Sequence, residues 1–215
     1  MDTYLASGYK VSDFVISKPK KNGDFLICKI KYNGEPIIVQ FPKMSLSDDP
    51  IDKGFSMEFI NNKNYNKEIY TFLSDIDNFI IEHIHTNSQE WFNKTIPLES
   101  LKMMYNSFIK APRTAESKCR INFSYSQKNT NFIDKKGNEA AKELFKKNEI
   151  VECISQFRYI IFSKDTCFPV WEMVSAKIHK KHEKVGKFGF VEDPDDEIQN
   201  TKESDDEEID VHKFF

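Results

Sequence analysis

The hydrophobic pattern of this chain changes period once and then changes back, and this constrains the fold more than any other feature. Between residues 66 and 86, apolar residues recur at spacings of three and four, as on one face of an α-helix: Ile69, Phe72, Leu73, Ile76, Phe79, Ile80 and Ile84. The flanking segments are rich in β-forming residues, and some alternate apolar and polar residues. The sequence therefore predicts strands, a long amphipathic helix capped by Asn66, and strands again.

Before the helix, strand patterns occur at residues 14–16, 24–32, 37–41 and 55–60. Asn33-Gly34 separates the second pattern from the third, and Asn-Gly supplies the positive φ angles of a tight turn. We therefore expect residues 24–32 and 37–41 to pair antiparallel. A shorter helix is expected over residues 97–105, because Pro97 suits a first helical turn.

After the helices, residues 119–125 alternate, which places Ile121, Phe123 and Tyr125 on one side of a strand. Residues 139–147 are expected to form a short helix. Residues 150–163 and 168–179 are interpreted as two long strands joined by a turn. This order of elements predicts a mainly β fold with a helical insertion, built as a small closed barrel or a sandwich.

The charge of the chain is divided between its two parts. Residues 191–215 hold eleven acids and two bases, a net charge of −9, whereas residues 1–190 hold 29 bases and 23 acids. Hydrophobicity collapses from Glu192 onward, so we expect one domain over residues 1–190 and a disordered acidic tail over 191–215. A basic body with an acidic tail suggests a polyanionic partner or a regulated interaction.

The sequence shows no enzyme motif. It has no Gly-rich phosphate loop, no GxSxG and no HExxH, and no apolar run long enough to cross a membrane. The pairs His83/His85 and His179/His182 are poorly placed for a shared metal ion, so we expect no metal and no cofactor. The four cysteines are scattered and no secretory signal is found, so we expect a cytoplasmic protein with free thiols.

The alternative to catalysis is recognition by a surface. The chain is 13% aromatic, and several aromatic residues lie beside bases in strands or loops, among them Phe41, Phe108 and Phe157. Nucleic-acid bases stack on aromatic rings while Lys and Arg neutralise phosphates. The candidate nucleic-acid-binding residues are Lys110, Lys118, Arg120, Tyr125, Arg158, Tyr159 and Lys177. Neighbours on a strand point to opposite faces, so we expect only one of Arg158 and Tyr159 to reach the groove.

The tail ends in an acidic run followed by two aromatic residues at the free carboxylate. Such a segment suits insertion into a pocket rimmed with bases, and it can imitate nucleic acid, with carboxylates in place of phosphates and rings in place of bases. The candidate tail residues for partner binding are Asp205, Asp206, Glu207, Glu208, Asp210, Phe214 and Phe215.

Two segments carry a resemblance to a known family: the strand pair at residues 154–162 and 168–174, and the acidic tail closing in Phe214-Phe215. Here the chain resembles the OB-fold single-stranded-DNA-binding proteins of nucleocytoplasmic large DNA viruses and short-tailed phages. The resemblance implies an OB-fold-like antiparallel β-barrel, enlarged by helices, whose groove binds single-stranded DNA without sequence preference.

The resemblance also implies a place in viral DNA replication, recombination and repair, in the host cytoplasm or a virus factory. It implies a tail that competes for the groove and recruits polymerase, helicase or primase, and a possible homodimer.

Two other functions stay open from the sequence. An acidic-tailed chaperone or scaffold would bind basic partners without binding nucleic acid. A nuclease would need carboxylates clustered in the body, where the sequence shows only scattered ones. The sequence leaves the choice between DNA and RNA open, because that choice depends on contacts to a 2′-hydroxyl.

Overall fold

A computed structural model describes residues 5–49, 54–60, 64–110, 119–126 and 128–179, and the tail expected over 191–215 lies outside this part of the chain. It contains eleven strands and two helices within these residues. In chain order they are β1 (Phe14–Ile16), β2 (Lys20–Asn22), β3 (Phe25–Tyr32), β4 (Ile37–Gln40), β5 (Met44–Leu46), β6 (Gly54–Phe59), α1 (Asn64–Phe92), α2 (Leu98–Met104), β7 (Ile109–Lys110), β8 (Arg120–Tyr125), β9 (Asn131–Ile133), β10 (Ile150–Phe162) and β11 (Cys167–His179). The predicted mainly β fold with a long helix is confirmed.

Five strands close into a ring. Strand β10 pairs with β5, β5 with β6, β6 with β8, β8 with β11, and β11 again with β10. The β8–β11 pairing is parallel, and the other four pairings of the ring are antiparallel. A ring with an odd number of strands cannot alternate direction all the way round, and at least one neighbouring pair must be parallel.

The hairpin predicted at Asn33-Gly34 opens immediately after its turn. Both residues have positive φ angles, 48° and 83°, but the two arms share only the bridge between Tyr32 and Glu35. Strand β3 instead pairs with residues 159–162 of β10, and β4 pairs with residues 154–157. The 13-residue β10 offers pairing partners to both arms.

Helix α1 buries the face that its apolar spacing predicts, with Ile69, Leu73, Ile76, Ile80 and Ile84 at most 1% exposed. It begins at Asn64, two residues before the predicted cap, and continues to Phe92, six residues beyond the apolar pattern. The last turns contain hydroxyl and amide side chains that bond back to the helix: Thr86 Oγ1 donates to the Glu82 carbonyl at 2.9 Å, and Asn87 Nδ2 to that of His83 at 2.8 Å. Asn93, with φ 55°, ends the helix.

Aromatic side chains pack against one another inside the ring. Trp171 stacks on Phe157 at 4.8 Å between ring centroids and on Phe108 at 5.6 Å, and Phe41 meets Phe123 edge-on at 4.8 Å. Helix α1 carries a second aromatic group, in which Phe72 packs against Tyr9 and Phe14 of the N-terminal segment. These aromatic residues of the sequence are therefore core residues.

The short helix predicted over residues 139–147 was wrong. Only Lys142–Leu144 form a single 3-10 turn. The preceding backbone is already paired with β9, because Ala140 N–H donates to the Phe132 carbonyl at 2.8 Å and Glu139 bridges Ile133. Neither of the two described helices is long and apolar enough to cross a membrane.

Candidate nucleic-acid interface

A concavity of about 800 Å³ lies on the outer face of β6, β7 and β8. In chain order, β6 and β8 are the second and third strands of the ring. Strand alternation builds this face: Ile121 and Phe123 of β8 point into the core, so Arg120 and Asn122, at the alternate positions, point outward. Ser56 of β6 lies opposite Asn122 and joins the same lining. We call this concavity the cleft.

Lys110 and Arg120 come together in the cleft, as candidate residues of one site should. They are register partners across β7 and β8, and both line the concavity. Glu58 of β6 lies opposite Arg120 on its other side. Within the described residues, the Arg120 guanidinium makes no hydrogen bond or ion pair, so its five N–H donors are available to a phosphate.

A half-buried carboxylate holds the wall of the cleft that carries Lys110. Asp77 of α1 accepts hydrogen bonds from the Tyr105 hydroxyl at 2.6 Å and from the Ser107 hydroxyl at 2.5 Å. Ser107 Oγ in turn accepts the Ile109 N–H at 3.1 Å, and the Ser107 carbonyl accepts the Lys110 ammonium at 2.7 Å. Burial raises the pKa of Asp77, while these two hydroxyl donors and the charge of Lys110 partly offset the shift.

Two carboxylates, Asp48 and Asp49, line the part of the cleft that precedes β6. Asp49 Oδ1 accepts the Lys147 backbone N–H at 2.7 Å, and the Lys147 ammonium lies 4.0 Å from Asp48. The cleft therefore offers cations from β7 and β8, hydroxyl and amide groups from Ser56, Asn106 and Asn122, and acids at its rim. Cations with amide and hydroxyl donors suit a phosphate backbone, and the acids limit where it lies.

Arg158 and Tyr159 lie elsewhere, at a bulge of β10. Phe157 pairs with Trp171 and Tyr159 with Val170, so Arg158 is an extra residue without a partner on β11. The bulge inverts the alternation of β10, and both Arg158 and Tyr159 line one small pocket of about 170 Å³ between β3 and β10. The expectation that these two neighbours point to opposite faces was wrong, because it assumed an unbroken strand.

The other candidate residues are dispersed. Tyr125 is only 6% exposed, and its ring packs edge-on against Phe55 at 5.2 Å and Phe132 at 5.8 Å, so the structure places it in the core instead of the cleft. Lys177 is exposed on β11, opposite Glu152 of β10. Lys118 and the tail candidates, residues 205–208, 210, 214 and 215, lie outside the described residues.

The aromatic residues that flank bases in the sequence are core residues. Phe41, Phe108 and Phe157 are 0%, 6% and 1% exposed, so their adjacency to Lys43, Lys110 and Arg158 reflects alternation along strands and not a stacking platform. Sequence reasoning missed Ser56, Asn122, Lys29 and Lys31. Each lies on the outward phase of a strand, and the alternation of β6, β8 and β3 was the signal that identifies them.

Near Lys177, a small polar network joins β4, β10 and β11. Glu152 accepts hydrogen bonds from Gln40 Nε2 at 2.7 Å, and His179 Nε2 lies 3.0 Å from its other oxygen. The His179 contact is the main cause that lowers the pKa of Glu152. Among the described residues, no three His, Cys, Asp or Glu side chains are grouped to hold a metal ion. His85 Nδ1 instead contacts the Ile96 carbonyl at 2.8 Å.

Comparison with known proteins gives one family and several distant structures. Residues 52–191 match the model of a family described as "Family of unknown function (DUF5871)". No curated protein matches the sequence. Among solved structures, gp2.5, a single-stranded DNA-binding protein encoded by bacteriophage T7, is 10% identical with a TM-score of 0.46, covering 81% of this chain and 100% of its own.

The single-stranded DNA-binding protein from bacteriophage Enc34 is 13% identical with a TM-score of 0.42, covering 80% of this chain and 94% of its own. Its complex with single-stranded DNA is 12% identical with a TM-score of 0.39, covering 78% and 97%.

Proposed function

We propose that this chain, which belongs to the DUF5871 family of unknown function, binds single-stranded DNA without sequence preference through the cleft on β6, β7 and β8. The observation that carries the proposal is the pairing of Lys110 with Arg120 on the outer face of the second and third strands of a closed five-stranded ring. In OB-folds this face and its adjoining loops bind oligonucleotides. The ring is accordingly proposed to be an OB-type barrel.

The lack of sequence preference follows from what lines the cleft. Lys110 and Arg120 neutralise phosphates, and Ser56, Asn106 and Asn122 donate to phosphate and sugar oxygens. Phe55 is 1% exposed and so presents no ring for stacking there. A cleft of this kind holds the backbone of a strand more than the edges of its bases.

The acidic tail is proposed to compete with DNA for the cleft and to recruit replication proteins such as a polymerase, helicase or primase. The support is charge: residues 191–215 hold eleven acids and two bases, whereas residues 1–190 hold 29 bases and 23 acids. The proposed setting is viral DNA replication, recombination and repair in the cytoplasm or a virus factory, and the proposed assembly is a homodimer. No catalytic step is assigned to the chain.

The test is binding of fluorescent oligo(dT) and of a duplex of equal length to the full-length protein, followed by anisotropy. The double variant Lys110→Glu/Arg120→Glu is expected to lose at least about 100-fold in affinity for the single strand, because two phosphate contacts become repulsive. The matched control is Lys67→Glu/Lys94→Glu, which makes the same charge change at exposed lysines of α1 and its C-terminal end.

Retention of the single strand by wild type and control, with loss in the double variant, supports the proposal. An equal loss of affinity in both double variants would contradict the proposal, because the effect would then come from overall charge and not from the cleft. No binding to either strand form, with retention of basic proteins instead, would favour the chaperone function.

A further inference from the structure

A second cationic site lies where β10 exchanges one partner for another. Residues 154–157 of β10 pair with β4, residues 159–162 pair with β3, and Arg158 is the bulge between them. The pocket of about 170 Å³ at this junction is lined by residues 29–31 of β3, by Pro36 after the turn, and by residues 156–159 of β10. We call it the bulge pocket. Around the ring, β11 separates it from the cleft on one side and β5 on the other.

The bulge pocket carries an excess of positive charge. Lys29, Lys31 and Arg158 contribute three cations, and Glu172 is the acid paired with them, through Arg158 Nε at 2.5 Å. That contact uses one of five guanidinium donors, and the terminal amino groups of Arg158 have no acceptor among the described residues. The Lys31 ammonium is held by the Gly34 carbonyl at 2.8 Å. Such a site attracts an anion and offers it a planar, multidentate donor.

The surroundings are aromatic and apolar on the same outer face. Lys29 lies opposite Tyr159, and Ile27 lies opposite Ile161, which in turn faces Phe168 of β11. Phe25, at the start of β3, is 46% exposed. An exposed sheet face is ordinarily polar, and an apolar patch rimmed by polar groups marks a binding surface. A ligand that fits this face carries negative charge and flat apolar groups together.

Single-stranded nucleic acid has that chemistry. Lys29 and Lys31 are two residues apart on one face of a strand, about 7 Å along its axis, and so can serve successive phosphates of an extended strand. The pocket is small, and it admits a single group such as a phosphate and not a folded chain. A second copy of this chain is disfavoured, because a two-fold contact would bring the same cations together.

We infer that the bulge pocket is a second contact for the same single strand, in which Arg158 and the lysines take a phosphate and a base stacks on Tyr159. This rests on the proposed function of the cleft and extends it, because a strand that reaches both sites must pass around the barrel. Short oligonucleotides then use the cleft alone, and long ones gain the additional contact.

The experiment measures the affinity of the full-length protein for oligo(dT) of about 10 and about 30 nucleotides, lengths that bracket a single OB-type site. The variants are Arg158→Ala/Tyr159→Ala and, because truncation beside a bulge can disturb folding, Lys29→Glu/Lys31→Glu at exposed positions. Thermal unfolding checks that each variant is folded. Lys67→Glu/Lys94→Glu again matches the charge change of the second variant.

Both bulge-pocket variants are expected to bind the long oligonucleotide about ten-fold more weakly or worse, and the short one within about two-fold of wild type. Unchanged affinity for the long oligonucleotide in the folded variants overturns the inference. The inference is also overturned if these variants bind both oligonucleotides like wild type but no longer bind a synthetic peptide of residues 203–215. The pocket is then a site for an acidic peptide. Failure of the proposed cleft is distinguished by the short oligonucleotide, because only the Lys110→Glu/Arg120→Glu variant is expected to weaken its binding.

Discussion

At the residue scale, the candidate interface depends on a few side chains that other residues hold in place. Lys110 reaches the cleft from a segment whose Tyr105 and Ser107 are both bonded to Asp77 of α1. Removing one partner of a half-buried, hydrogen-bonded carboxylate leaves polar atoms unsatisfied, so this cluster is sensitive to substitution. Asp77 is thus a positioning residue for the cleft and does not itself line it.

The raised pKa of Asp77 predicts a specific pH dependence of stability. The folded protein holds the Asp77 proton more tightly than the unfolded chain does, and this difference stabilises the fold. The stabilisation is complete below the ordinary Asp pKa of 3.8, and it is lost as pH rises through the raised pKa of Asp77. Asn cannot ionise, so the free energy of unfolding of Asp77→Asn, relative to wild type, is expected to rise as pH rises through that window. Urea unfolding at a series of pH values measures it.

The control for loss of one negative charge on α1 is Asp75→Asn, at an exposed position of the same helix. A constant difference between Asp77→Asn and wild type at every pH would contradict the assignment of a raised pKa to Asp77.

At the element scale, the hydrophobic periodicity predicted whether most segments form a helix or a strand, but it did not predict which strands pair. The apolar spacing identified α1 and the alternation identified β8, because each depends on neighbours a few residues apart. The pairing of β3 and β4 with β10 depends on residues more than 100 positions away, and no local pattern encodes it. The Asn33-Gly34 turn formed, yet its hairpin did not extend.

The candidate site was predictable to the same extent. Arg120 was selected as one of three arginines in the chain, and Lys110 as a base near Phe108. Their pairing across β7 and β8 is a contact that the sequence alone did not predict. The bulge at Arg158 could not be predicted, since alternation on either side of it is regular. Tyr125 was misassigned because an aromatic residue beside a lysine looks the same whether its ring faces the core or the solvent.

Helix α1 packs through its apolar face, so the same substitution at two neighbouring positions is expected to lower the free energy of unfolding by different amounts. Ile80 is 0% exposed, whereas Ile81 is only partly buried. Ile80→Ala is expected to lower the free energy of unfolding by about 2–5 kcal/mol, through lost transfer energy and a cavity. Ile81→Ala makes the same chemical change and is expected to cost clearly less. Chemical denaturation of both variants measures the difference, and equal losses would mean that α1 is not packed through its apolar face.

At the scale of the whole molecule, the opposite charges of the basic body and the acidic tail predict that the tail competes with DNA for the cleft. Deleting residues 192–215 removes eleven acids and is expected to tighten binding to oligo(dT), with the gain shrinking at high salt as the charges are screened. A full-length Phe214→Ala/Phe215→Ala variant keeps every acid and separates the contribution of the rings. Unchanged or weaker binding after truncation would exclude the tail as a competitor.

The most direct test of the central claim is the salt dependence of oligo(dT) binding by wild type and by Lys110→Glu/Arg120→Glu. If the cleft neutralises phosphates, the logarithm of the affinity falls linearly with the logarithm of salt concentration, and losing two contacts reduces the slope by about 1.4. The account predicts that reduction, with the slope of Lys67→Glu/Lys94→Glu close to that of wild type. A binding constant that is independent of salt, or equal slopes in all three proteins, would contradict a phosphate-binding cleft at Lys110 and Arg120.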